Sequence, residues 1–246
     1  MRSLNISKLN PSVNVLGVHF INETFNHFIH ILEHRINHRL NTFVVTANPE
    51  IVMYARNHPK YQKIIHQANF ITPDGIGIVK ASHVLKHPLP DRISGYDIFT
   101  ALLRWGNHTH KSVYFLGARP RVISDLIKIV RKRYPGIKIA GFQDGYFKNS
   151  QRITQDIKAQ QPDMIFIALG YPKQELFIAH HRPIDNALWM GVGGSFDVLS
   201  GHVKRAPHFL IKHHLEWLYR LIKNPWRLHR MMSLPKFLIT IYKHRD

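Results

Sequence analysis

The chain has 246 residues, 44% of them hydrophobic, and carries 34 Lys and Arg against 15 Asp and Glu, a formal net charge of +19. That length suits one large α/β domain with a small appendage, and the cationic excess points to anionic partners: nucleic acid, anionic lipid or phosphorylated substrates. The absence of cysteine excludes disulfides, thiolate catalysis and Cys-based zinc sites. No stretch reaches the roughly 20 apolar residues of a membrane span, and residues 1–13 hold no signal-peptide core, so an intracellular protein with at most peripheral membrane contact is expected.

In chain order, residues 13–20 (VNVLGVHF) read as a first strand. Residues 23–39 read as a helix with Phe25, Phe28, Ile29 and Leu32 on one face. A short apolar strand at 43–45 ends in Thr46-Ala47-Asn48. Asn48-Pro49-Glu50 then opens a helix with a capping Asn, Pro at the first helical position and an acid near the positive end of the dipole. A second strand at 70–72 is stopped by Pro73-Asp74-Gly75, and Gly77 keeps the next helix start slim. Residues 91–97 lead into a helix at 98–105. A buried-type strand at 113–116 ends in Gly117-Ala118 and feeds a helix from about 121 to 134.

Strand 137–141 and helix 153–160 follow. Strand 164–169 ends in GYPKQE, which begins another helix, and strand 188–192 ends in Gly193-Gly194-Ser195-Phe196-Asp197. Such alternation predicts a Rossmann-like, mostly parallel sheet with helices on both faces, one domain over residues 1–203. The glycine fingerprint of a dinucleotide site, followed by an acid about 20 residues on, is missing, which argues against an NAD-dependent oxidoreductase.

From Lys204 the texture changes. Residues 204–246 contain ten Lys and Arg against Glu216 and Asp246, interleaved with Trp217, Trp226 and Phe237, and residues 210–222 follow helical spacing up to a break at Pro225. This predicts a basic amphipathic appendage, suited to an anionic membrane surface. A C-terminal helix packed on the core with solvated charges fits the same composition.

Ligands of parallel α/β sheets sit outside the carboxyl ends of the strands, which groups Thr46, Asn48 and Asp74 around one crevice. By itself Pro-Asp-Gly is a turn and Asn48 an N-cap. Gly193, Gly194 and Ser195 could bring backbone N–H groups close to a phosphate. The 19 His are scattered without metal-ligand spacing, and there is no Asp-x-Asp, so neither a metal nor a cofactor is expected.

The stretches TANPEIVMYA, TPDGIGIVKASHVLKHPLPDRISGYD, VYFLGA, YPGIKIAGFQDGYF, LGYPKQE, GVGGSFDVLSGHVKRAP and EWLYRLIKNPWRLHR resemble the WecG/TagA/CpsF family of bacterial glycosyltransferases, most closely its TagA branch. The resemblance runs from about Val15 over nearly the whole chain. It implies a metal-independent, inverting transfer. Asp74 would be the base that takes the acceptor hydroxyl's proton, and Thr46 and Asn48 would offer polar groups to sugar or acceptor. Arg92, Asp97, Gln174, Gly193, Gly194 and Asp197 would surround the donor and its diphosphate. Arg220, Arg227 and Arg230, in the appendage, would meet the acceptor's diphosphate, where planar guanidinium forks bind phosphate bidentately.

The donor implied is UDP-N-acetylmannosamine and the acceptor a lipid-diphosphate-linked GlcNAc, undecaprenyl-diphosphate-GlcNAc. The product is a β-1,4-linked unit of wall teichoic acid synthesis, made at the inner face of the cell membrane. Another UDP-sugar donor, ManNAc uronic acid or glucuronic acid, is the close alternative. A nucleic-acid-binding protein is the alternative that +19 suggests, but the basic residues follow no recognised module, so no specific nucleic acid is expected.

Overall fold

The computed structural model describes residues 11–207, 209–210, 219 and 233–245. The chain begins with β1 (Ser12–Val15) and β2 (Val18–Ile21), paired antiparallel in a two-stranded sheet of their own. The single strand expected over 13–20 is therefore a hairpin. Leu16 and Gly17 both take positive φ, 51° and 88°, the geometry that matches the twist of a two-residue hairpin. The Asn14 side chain accepts the Gly17 N–H at 2.8 Å. Leu at a left-handed position carries none of the usual turn signal, which is why the apolar run reads as continuous.

Next come α1 (Phe25–Asn37), capped by Thr24, and β3 (Thr42–Ala47). The expected single helix after Asn48 is two, α2 (Pro49–Asn57) and α3 (Pro59–Ile65). Pro59 has no N–H to continue the helix, and His58 before it leaves the helical region at φ −132°, ψ 85°. The chain continues through β4 (Phe70–Pro73), α4 (Ile76–Val84), α5 (Gly95–His108), β5 (Ser112–Gly117), α6 (Pro120–Arg133), β6 (Lys138–Gln143) and α7 (Ser150–Gln160). β7 (Met164–Ala168), α8 (Lys173–His181), a short 3-10 turn, β8 (Leu188–Gly191), α9 (Ser195–Leu199) and α10 (Ser233–Lys243) complete it.

β3 to β8 form one six-stranded sheet in the order β4-β3-β8-β7-β5-β6, parallel throughout. The strand period of two sorts the side chains. Phe43, Val45, Tyr114, Leu116, Ile165, Ile167 and Trp189 face one layer, with the hairpin, α2, α3, α4, α7, α8 and α10. Val44, Val113, Phe115, Met164, Phe166 and Met190 face the other, with α1, α5, α6 and α9. This is the doubly wound arrangement that the alternating pattern predicts.

At the far end of the chain, α10 lies against α2 and α4. Phe237, grouped by sequence with the aromatics of an exposed surface, is fully buried there, as is Ile241; Leu238, Ile239 and Tyr242 stay exposed. Most of residues 208–232, including the segment of helical spacing before Pro225, lie outside the described residues.

Candidate active site

The carboxyl ends of β3 and β4 are in register, Thr46 beside Thr72 and Ala47 beside Pro73, and the Asp74 N–H closes the pair by donating to the Ala47 carbonyl at 3.0 Å. Asn48 and Asp74 therefore leave adjacent strands side by side. Gly75 turns the chain at φ 113°, and a Cβ on Gly77 would lie 2.9 Å from the Pro49 ring, so α4 starts in contact with the start of α2. Two helix N-termini, each with a partial positive charge, thus flank the half-buried Asp74. Asn48 is an N-cap: its side-chain oxygen accepts the Ile51 N–H at 2.9 Å. That leaves its amide N–H groups as the donors for a ligand.

Thr46 is met from the other layer. A Cβ on Gly95 would lie 2.9 Å from Thr46 Oγ1, so only glycine lets the start of α5 come this close. The strap between α4 and α5 is tied to the end of β4, with the Ile93 N–H donating to the Pro73 carbonyl at 3.0 Å and Thr72 Oγ1 donating to the Ile93 carbonyl at 3.1 Å. Those bonds carry Arg92 to the same crevice. Arg92 donates to Asp97 Oδ2 at 3.3 Å, Ser94 Oγ donates to the same oxygen at 2.6 Å, and Arg205 donates to Oδ1 at 2.6 Å. The Arg205 guanidinium also lies 4.5 Å from the centre of the Tyr96 ring, an added cation–π contact. One carboxylate thus holds two guanidinium groups. Asp97 anchors the cations. Arg205, 108 residues away in sequence, reads there only as one of the tail's many basic residues.

The third wall is the end of β7 and β8. Gln174 is 5% exposed, not solvated. Its Oε1 accepts the Gly193 N–H at 3.1 Å and its Nε2 donates to Glu175 Oε1 at 2.8 Å. A Cβ on Gly191 would lie 2.6 Å from Gln174 Nε2, so the strand end must be glycine for the amide to fit. Glu175 is 1% exposed; burial pushes its carboxyl up from the usual range, opposed in part by the Gln174 hydrogen bond. Its Oε2 and the Tyr61 hydroxyl are both buried without a well-formed hydrogen bond; burial pushes the Tyr61 hydroxyl up and the nearby Glu175 carboxylate adds to that, while the Tyr61 hydroxyl draws the Glu175 carboxyl down.

Of the three residues expected to turn backbone N–H groups towards a phosphate, Gly193 and Ser195 have theirs engaged within the chain. Gly193 N–H is taken by Gln174 and Ser195 N–H by the Val192 carbonyl at 3.1 Å. The loop nevertheless borders open space: a Cβ on Gly170, Gly193 or Gly194 would meet nothing within 4 Å.

On the far side, Asp197 in α9 accepts from Arg119 at 3.4 Å, at the start of α6. Its backbone carbonyl accepts the Val203 N–H at 2.9 Å, holding the segment that delivers Arg205. Tyr171 Oη donates to Glu50 Oε1 at 2.6 Å and pins the loop after β7 to α2. Arg220, Arg227 and Arg230 lie outside the described residues. Among the described residues no cluster of three His, Cys, Asp or Glu could hold a metal ion. The carboxyl ends of the strands thus carry Asp74, the Arg92–Asp97–Arg205 cluster and the glycines of the loop after β8.

Comparison with known sequences agrees in kind. A sequence model of the glycosyl transferase WecG/TagA/CpsF family matches residues 13–246. The chain is 46% identical over 227 residues to a Bacillus spizizenii protein named N-acetylglucosaminyldiphosphoundecaprenol N-acetyl-beta-D-mannosaminyltransferase, covering 92% of this chain and 88% of that protein. Proteins of the same name from Bacillus subtilis and Staphylococcus aureus are 43% and 38% identical, over 92% and 94% of this chain and 90% and 92% of theirs. The chain belongs to the WecG/TagA/CpsF family of glycosyl transferases.

Proposed function

We propose that this chain transfers N-acetylmannosamine from UDP-N-acetylmannosamine to GlcNAc-diphospho-undecaprenol with inversion, forming a β-1,4 linkage in wall teichoic acid synthesis. The observation that carries this reading is Asp74, held at the end of β4 between two helix N-termini and beside the Arg92–Asp97–Arg205 cluster. The relatives' names, at 38% to 46% identity over nearly whole chains, support the sugar and acceptor and favour them over the uronic acid donors.

In the reaction the acceptor hydroxyl oxygen attacks the anomeric carbon as Asp74 takes its proton. The bond from that carbon to the diphosphate breaks, and UDP leaves with the electron pair. Cations stabilise the departing charge, a role for Arg92 and Arg205, joined by Arg220, Arg227 and Arg230 at the acceptor. Thr46 and Asn48 orient the sugar. Gln174 shapes the donor hollow through Gly193.

The test is UDP release with EDTA present, measured for the wild type and Asp74→Asn. Acceptor-dependent release in the wild type, lowered about 10²-fold or more in the variant, is expected. Full activity of the variant would put the base elsewhere.

Residues 204–246 would meet the membrane peripherally. No helix among the described residues is long and apolar enough to cross a bilayer, and α10 exposes Leu238, Ile239 and Tyr242 next to Lys243. Because Phe237 and Ile241 are buried against α2 and α4, truncation would strip the core, so substitution is the cleaner test. The double variant Leu238→Ser/Ile239→Ser should lose flotation with anionic vesicles while keeping its melting temperature. Unchanged flotation would remove α10 from the membrane contact.

A further inference from the structure

Each of α2 and α4 starts at the crevice and runs back along the sheet for nine residues, about 13 Å at 1.5 Å per residue. Their C-terminal ends therefore meet at the opposite, amino end of the sheet. There they join the β1–β2 turn and the end of α10 around an open cleft of about 780 Å³, a volume in the range of small-molecule sites. Arg56, Lys86, His87, His244 and Arg245 line it with Gln62, and among the described residues no carboxylate does. None of Arg56, Lys86 and Arg245 is in an ion pair with a described carboxylate, and these three and both histidines are exposed. Arg56 and His244 approach to 3.4 Å, a guanidinium donor against an imidazole nitrogen, which links α2 to the end of α10.

Cations at helix C-termini are expected, because each end carries about −0.5 of an elementary charge. The end of α4 is already served by its own backbone: Lys86 turns left-handed at φ 61°, and the Lys86 and His87 N–H groups donate to the His83 and Ser82 carbonyls. Three helix ends at about −0.5 each offset only half of the formal charge on Arg56, Lys86 and Arg245. A surplus positive field remains in a cleft large enough to hold a ligand, with two guanidinium groups and an ammonium as phosphate donors.

We propose that this cleft is a second anion site, separate from the catalytic crevice, that binds a phosphate group, carried either by a small soluble molecule or by a lipid headgroup.

The test compares the wild type with Arg56→Glu/Lys86→Glu and with a charge-matched control on the exposed face of α6, Arg131→Glu/Lys132→Glu. All three proteins are titrated calorimetrically with inorganic phosphate, and floated with vesicles of phosphatidylglycerol and phosphatidylcholine or of phosphatidylcholine alone. Circular dichroism and transferase rate confirm that each is folded. Phosphate binding weakened at least about tenfold in the cleft variant, with the control close to wild type, supports a soluble ligand. A comparable loss confined to the anionic vesicles, again only in the cleft variant, supports a lipid headgroup. Equal binding by all three proteins, or equal weakening in both variants, overturns the proposal, since overall charge would then account for it.

Discussion

Replacing Gln174 by Met tests what holds the third wall of the crevice. Met keeps roughly the length and volume of the side chain but can make neither of its hydrogen bonds. The Gly193 N–H at 3.1 Å loses its acceptor, and Glu175 Oε1 at 2.8 Å loses its donor, in a place where Gln174 is only 5% exposed. A buried polar group left unsatisfied costs about 1–3 kcal/mol, so the pair together should cost about 2–4 kcal/mol after some local relaxation. For a chain of this size about 1 kcal/mol moves the melting temperature by about 2–4 °C, which gives a fall of roughly 4–16 °C. The assay is thermal unfolding by circular dichroism, alongside UDP release at 25 °C, where the variant is still folded. The transferase rate should fall with donor KM rising, because the Gly193–Gly194 loop borders the open hollow. A melting temperature within 1 °C of wild type would refute the claim that this amide holds the loop. Lower stability with unchanged kinetics would separate the loop from donor binding.

Two further predictions use residues that the fold brought in. Arg205→Ala removes the 2.6 Å bond to Asp97 and the contact with Tyr96. Because both partners are partly solvated, stability should change by only about 1 kcal/mol, while donor KM rises several-fold; Arg205→Lys should recover less than half of that loss, since an ammonium lacks the planar fork. A KM unaffected by either substitution would leave Arg205 a structural residue alone. Glu175→Gln addresses the buried carboxyl. In the folded chain Glu175 keeps its proton above the usual value of 4.5, while the unfolded chain gives it up. The stability this proton contributes is fully present below that value and is lost as pH rises towards the folded pKa. The amide has no proton to lose, so urea denaturation should show the variant gaining on the wild type from pH 4 upward, by at most about 1.4 kcal/mol per pH unit. A difference that stays flat with pH would mean the carboxyl is solvated.

What local sequence determined is what local chemistry encodes. The strand runs at 43–45, 70–72, 113–116 and 188–192 were readable because a parallel strand buried on both faces is continuously apolar. The starts of α2 and α4 were readable because Asn-Pro-Glu and Pro-Asp-Gly act on the backbone within a few residues. Asp74 could be placed at a strand end for the same reason. The Leu16–Gly17 hairpin and the split between α2 and α3 were missed where a weak local signal lay inside a strong apolar or helical pattern.

Only the tertiary structure could decide the partners of the charged and amide groups. Asp97 meets Arg205 across 108 residues, Tyr171 meets Glu50 across 121, and Gln174 meets Gly193 across 19. None of these pairs has a periodicity to announce it. Each depends on two chain segments arriving at the same edge of one sheet, which turns a surface-type arginine into the partner of Asp97 and a first-turn glutamine into a buried clamp; packing likewise turns Phe237 from an exposed aromatic into part of the core. The reason is physical: secondary structure follows from interactions a few residues long, whereas the identity of a side chain's neighbour is set by strand order, which is fixed only when the whole sheet packs.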